Sequence, residues 1–166
     1  SYYTERAKGG FGLVITECSA VSYEGRSLVN ECGLWDDSLI PSYRRLTDSV
    51  HGAGAKIAVQ LRHCGRETKP CYTGGKEVLA PSKIPCPSCQ SMPHEMTAEE
   101  VYQMIGTFGD AALRGKKAGF DAVELHASHG YLIAQFLSGH ANKRTDEFGG
   151  SLHNRMRFLR LVLQDI

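Results

Sequence analysis

No stretch of this sequence approaches the roughly 18 consecutive apolar residues of a membrane-spanning helix. The longest apolar runs are GLVI (12–15) and YLIAQFL (131–137). There is no basic block either: 19 Lys and Arg against 18 Asp and Glu leave a formal charge of +1. Neither a membrane nor a nucleic-acid partner is therefore expected. The opening SYYTERAKGG is charged early and lacks a signal peptide's apolar segment, so it reads as the last turns of a helix in a cytoplasmic protein. Six cysteines in such a chain are expected to be reduced thiols rather than disulfides. GxGxxG and GxxxxGK[ST] follow none of the apolar runs, which weighs against a nucleotide-binding open sheet. HExxH is also missing. At 166 residues the chain suits one domain and is too short for two ordinary ones.

Glycine, by contrast, is abundant: 18 residues of 166, against a usual share of ~7%. Three of these clusters, AKGGFG, HGAGAK and KKAGFDA, end helix-like stretches and precede short apolar runs. Glycine just past a helix supplies the left-handed C-cap residue at little steric cost. The runs GLVITE (12–17), KIAVQL (56–61) and DAVELH (121–126) read as parallel strands buried on both faces. Leu39, Tyr43, Leu46 and Val50 mark a helix over 36–53, with Pro41 near its start. TAEE, with Thr97 and Glu100 at capping-box spacing, opens another over 97–118. A last helix is expected from about Ser151, with Met156, Leu159 and Leu163 on one side.

Strands alternating with helices predict a parallel α/β fold. Polar residues gather at the C-terminal ends of all three strands: Thr16 and Glu17, then Gln60, then His126 and His129. In a (β/α)8 barrel those ends share the active-site face. A full barrel takes roughly 250 residues, and three strands are visible here, so the expectation is part of a TIM barrel. The long loop 62–96, with LAPSKIPCPSCQSMPHEMT, is a candidate functional loop.

His126 and His129 are three apart, a spacing that shares a face on a helix but not on a strand. Three readings stay open: two hydrogen-bonded histidines at a strand end, a metal site that still needs further ligands, or two neutral imidazoles donating to one substrate oxygen. Tyr131, two residues on, is placed to supply a proton. Cys86-Pro-Ser-Cys89 has metal-ligand spacing but occurs once, so two reduced thiols is the plainer expectation. Arg62, His63 and Arg66 read as a solvated loop or an anion site. NKRTDEFGGSLHNRMRF reads as an ion-paired loop that pins the last helix.

AGFDAVELHASHGYLIAQFLS followed by NKRTDEFGGSLHNRMRF resembles the fourth strand, and the loop after it, of the old yellow enzyme family of FMN-dependent ene-reductases. The resemblance is strongest to its bacterial branch near 2,4-dienoyl-CoA reductase and NADH:flavin oxidoreductases. GGFGLVITE is similar to the family's second strand, GAKIAVQLRHCGR to the third, and LAPS with MPHEMT to the lead into the third helix. The resemblance implies that residues 1–166 are the N-terminal part of one FMN-binding barrel domain, incomplete at both ends and covering about strands two to four. It implies that His126 and His129 bind the carbonyl oxygen of an unsaturated small-molecule substrate. It further implies that Tyr131 protonates the α-carbon, and that Gln60, Cys18 and His126 contact the FMN reduced by NAD(P)H.

Phe148 and His153 stand where the family often has tyrosine and glutamate, and Cys18 where it often has a small residue. A flavin-contacting arginine and the FMN phosphate loops come, in the family, from strands outside these three. Residues 1–166 alone are thus expected to be inactive. An iron–sulfur cluster and FAD belong only to longer relatives, no metal is assigned to this chain, and homo-oligomerisation stays open. The rival readings are a metal-dependent barrel lyase using His126 and His129, and a non-catalytic partial barrel.

Overall fold

The computed structural model describes residues 2–166. The helix, glycine, strand unit occurs three times, as the glycine spacing predicts. Helix α1 (Tyr2–Lys8) leads to strand β1 (Leu13–Ala20), α2 (Ile40–His51) to β2 (Lys56–Arg62), and, after two short strands in the long loop, β3 (Leu79–Ala80) and β4 (His94–Glu95), α3 (Ala98–Lys117) leads to β5 (Ala122–Leu125). Gly10, Gly54 and Gly119 make the three turns at φ 100°, 86° and 89°, where a side chain is strained. Helices α4 (Leu132–Leu137), α5 (Leu152–Arg155) and α6 (Arg157–Asp165) complete the chain. Among the described residues no helix is long and apolar enough to cross a membrane.

Local signals set the helix starts. Thr97 Oγ1 accepts from Glu100 N–H at 3.2 Å, and Glu100 Oε2 accepts from Thr97 N–H at 2.7 Å, closing the expected capping box. The predicted helix over 36–53 begins as a 3-10 turn at Asp37–Leu39, capped by the Asp36 side chain on Ser38 N–H, before α2 takes over.

β1, β2 and β5 form one parallel sheet in the order β1-β2-β5. The register runs regularly to Ile15 opposite Ala58, then resumes with Cys18 opposite Gln60, so β1 carries one extra residue there. Burial on both faces holds for β2 alone. Leu13 and Ile15 of β1 are exposed while Val14 and Thr16 are buried, and β5 is only half-buried. Only the middle strand has a strand neighbour on either side; each outer strand is paired along one edge.

Four phenylalanines anchor the core away from the sheet. Phe136 stacks on Phe158 with centroids 4.3 Å apart, Phe108 meets Phe158 edge-on at 6.2 Å, and Phe148 lies 6.3 Å from Phe136. These contacts correct the stripe expected for the last helix: Phe158 and Val162 are buried, while Met156 and Leu163 are exposed. Apolar residues surround much of this helix, so the pattern allows two stripes, and the aromatic partners Phe108 and Phe136 select one. The loop before it is ion-paired as expected, with Arg144 on Asp146 and Arg157 on Glu147. Asn142 Nδ2 donates to the carbonyls of Phe136 and Phe148, both at 2.8 Å, and ties the loop to α4.

At the opposite end of the sheet Asp121 links three elements. It accepts from Lys56 Nζ at 2.8 Å and from Ile57 N–H at 2.9 Å, and lies 2.7 Å from His51 Nε2. Burial alone would raise this carboxyl, but Lys56, the Ile57 amide and His51 together hold it far below the usual carboxylate range. A depressed carboxyl contributes stability above its unfolded pKa of ~3.9, and that contribution is lost as the pH falls below this value. Asp121→Ala in the full-length protein should therefore cost about 2 kcal/mol at neutral pH and much less near pH 2. Denaturant melts at the two pH values check this, and an equal cost at both would remove the charge from the explanation.

Candidate active site

Side chains at alternate strand positions share a face, so residues 18, 60 and 124 form one row across the three strands. Cys18 is opposite Gln60, and Gln60 is opposite Glu124. The Cys18 thiol donates to Gln60 Oε1 at 2.8 Å, and Gln60 Nε2 donates to Glu124 Oε1. Burial raises the Cys18 pKa, against the opposing pull of Arg62, so the sulfur keeps its proton and remains a donor. The Gln60 amide is thus oriented, with oxygen toward β1 and nitrogen toward β5.

The next step along the same face carries Arg62 on β2 and His126 just past β5, whose N–H donates to Leu61 O at 3.0 Å. The chain then leaves strand geometry. His129 has φ 54° and Gly130 φ 76°, two left-handed residues in succession. Histidine tolerates this region better than most residues. The turn swings the His129 ring back onto His126, with His129 Nδ1 3.0 Å from His126 Nε2 and centroids 4.9 Å apart. Tyr131, the N-cap of α4, sets its ring edge-on to His126 at 4.8 Å. His126, His129 and Tyr131 therefore meet on one wall, with Gln60 and Cys18 on the adjoining strands.

The hydrogen bonds assign the protons. Ser128 N–H donates to His126 Nδ1 at 3.3 Å, so His126 carries its proton on Nε2 and donates it to His129 Nδ1, leaving the His129 proton on Nε2. Burial, followed by the neighbouring His129, lowers the His126 pKa below the ordinary histidine value. Both rings are neutral donors in this assignment, but they are bonded to each other. For both to reach one oxygen, the exposed His129 ring must turn away from His126. Among the described residues, no third His, Cys, Asp or Glu completes a metal-ligand set with the pair.

Arg62, His63 and Arg66 are not a solvated loop. All three are buried. Arg62 pairs with Glu31, bonds Ser27 Oγ at 3.0 Å, and places its guanidinium carbon 4.4 Å from the centre of the Tyr131 ring. Burial disfavours the Arg62 charge, but the Glu31 carboxylate more than offsets it and raises the pKa. His63 is driven the other way by burial, to about 4, and so stays neutral. Buried Gln135 ties this segment to the active wall, donating to Cys64 O at 3.1 Å and Gly130 O at 2.6 Å and accepting from Arg66 N–H at 3.2 Å. Sequence reasoning offered Arg62 only as a loop charge or an anion site, and did not single out Glu31 or Glu124. The available signal was period two: Arg62 follows Gln60, and Glu124 precedes His126, by two residues on strands.

Parallel β/α units with acid–base and amide side chains at the strand C-terminal ends are the arrangement on which α/β barrels build their active sites. Comparison with known proteins narrows the class. The chain is 45% identical over 158 residues to an NADH oxidase of Thermoanaerobacter brockii, covering 95% of this chain and 24% of that protein. It superposes on morphinone reductase with a TM-score of 0.92 at 32% identity, over 99% of this chain and 48% of that one. The old yellow enzyme homologue from Zymomonas mobilis gives a TM-score of 0.88 at 33% identity, again over 99% and 48%. Residues 1–166 match throughout, and the chain belongs to the NADH:flavin oxidoreductase / NADH oxidase family. It spans about half the length of these solved relatives and about a quarter of the NADH oxidase.

Proposed function

We propose that this chain is strands two to four, with their helices, of an eight-stranded FMN-binding barrel. The protein it serves is an NAD(P)H-dependent oxidoreductase that reduces the activated C=C bond of an α,β-unsaturated carbonyl compound. The observation that carries this reading is the meeting of His126, His129 and Tyr131 on one wall beside the oriented amide of Gln60. A carboxamide offers one donor and one acceptor side by side, the complement of a flavin's pyrimidine edge, where carbonyl and N–H groups alternate. The half-buried Cys18, Gln60, Glu124 row fits such a ring edge, and Gln60, Cys18 and His126 would hold it. A solved structure of morphinone reductase in complex with tetrahydroNAD, 33% identical, supports a nicotinamide reductant for this protein too.

FMN, when bound, supplies the hydride. The chain's own groups prepare the acceptor. His126 Nε2–H donates to the carbonyl oxygen, and the turned His129 ring adds the second bond, so negative charge growing on that oxygen meets two fixed dipoles. This withdraws electrons from the conjugated β-carbon and makes it electrophilic. The Tyr131 hydroxyl delivers the proton to the α-carbon as a general acid. Gln135 and the left-handed turn at His129 and Gly130 keep the donors on one wall.

The test uses the full-length protein. Its purified form should carry stoichiometric FMN, lose the flavin absorbance on anaerobic addition of NADH or NADPH, and recover it on addition of an enone. Recovery with oxygen but with no enone or enal would remove the ene-reductase reading and leave an oxidase. Metal-dependent turnover without flavin would favour a lyase.

A further inference from the structure

A second cluster lies where the long loop folds back beside the active wall. Cys86 is buried and Cys89 partly so, and Glu67, from the segment after β2, joins them. One ligand atom from each residue lies within 4.8 Å of the other two. The Cys86 thiol donates to Glu67 Oε2 at 2.9 Å. The turn 86–90 is shaped around the Cys86 sulfur: Cys89 N–H points at Sγ at 3.4 Å, and Gln90 N–H closes onto Cys86 O at 2.9 Å. Gln90 is held at φ 58°, one of two non-glycine residues at positive φ among the described residues. Single left-handed residues other than glycine persist where surrounding structure over-determines them. Arg66 Nη1 donates to Ile84 O and Pro85 O, immediately before Cys86, and its buried Nε has no partner. A fixed positive charge therefore sits beside the place where negative charge would collect.

We propose that Glu67, Cys86 and Cys89 form a binding site for a thiophilic divalent cation of the zinc class, with its fourth position taken by water. Thiolate and carboxylate are both zinc ligands, and zinc's bonds to sulfur are ~2.3 Å long. Tetrahedral angles then put the two sulfurs about 3.8 Å apart, a separation that side-chain rotation can reach from the present spacing. Binding releases the two thiol protons to solvent, and Glu67 exchanges its hydrogen bond from Cys86 for the cation. The ligand set joins the start of the long loop to its middle, and the Glu67 carboxylate also flanks Gly130: a Cβ built there would stand 3.4 Å from Oε1. A bound cation would pin the long loop against the turn that carries His129.

Sequence spacing alone left the two cysteines as plain thiols because the third ligand is 19 residues upstream. The site does not depend on the flavin reading, and its test uses no turnover. Full-length protein is purified under reducing conditions and titrated with Zn2+ and, separately, Cd2+. Wild type should bind one equivalent more of either than Cys86→Ser/Cys89→Ser, and only wild type should gain the ultraviolet thiolate-to-cadmium band from this site. Glu67→Gln should keep the band and weaken affinity about tenfold or more, judged by the losses seen when partners of metal ligands are removed. Alkylation mapped on the wild type keeps the test independent of whether the variants fold: Cd2+ should protect Cys86 and Cys89 and leave exposed Cys71 reactive. Equal metal content in wild type and double variant, unchanged alkylation with Cd2+, or a Cys86–Cys89 disulfide that takes up no metal after reduction would each overturn the site.

Discussion

Tyr131→Phe in the full-length protein should slow reoxidation of the reduced flavin by an enone by about 100- to 10,000-fold, the range for a lost general acid. The substitution removes one hydroxyl and keeps the ring. That ring touches His126 edge-on and sits under the Arg62 guanidinium, and a phenylalanine ring keeps both contacts. FMN content and the rate of reduction by NAD(P)H should be unchanged, which separates a lost proton from a disturbed fold. Stopped-flow measurement of the two half-reactions gives the answer. Normal enone rates in the variant would move the proton source to water or another residue.

The second large effect belongs to the histidine pair. His126→Ala or His129→Ala should each slow the enone half-reaction roughly 10- to 150-fold, matching about 1.5–3 kcal/mol for a hydrogen bond to a charged or partly charged oxygen. Binding of a phenol, which offers one anionic oxygen, should weaken by a similar factor. Asparagine at either position restores an N–H donor and should recover much of the loss, an outcome that a purely structural role would not give. Because the two rings are bonded to each other in this structure, a ligand oxygen must separate them. His126→Ala therefore also frees His129, which offsets part of its loss, and the double variant should lose more than the product of the single losses. Enone kinetics unchanged in both single variants would end the carbonyl-clamp reading.

Much of the fold was legible locally. Glycines at 10, 54 and 119 mark the turns, Thr97 and Glu100 mark a helix start, and the three apolar runs become the three parallel strands. These features depend on φ preferences and on hydrogen bonds within a few residues, so near neighbours suffice to specify them. The stripe of the last helix was misjudged, because Phe158 is buried by Phe108 and Phe136, residues 50 and 22 positions away in the chain.

The sequence by itself determined that two imidazoles, a phenol and a glutamine would stand at the strand ends, since each follows its apolar run within a few residues. It determined the parallel α/β pattern for the same reason. Tertiary structure alone decided which of them touch and in which proton state. The pairing of His126 with His129 needs the left-handed turn at 129 and 130, and the orientation of Gln60 needs Cys18 and Glu124 from the strands on either side. Arg62 passed for a surface charge because a guanidinium enters the interior only with a partner. That partner, Glu31, arrives from a loop 31 residues earlier, and its approach is a matter of chain path that no local pattern encodes.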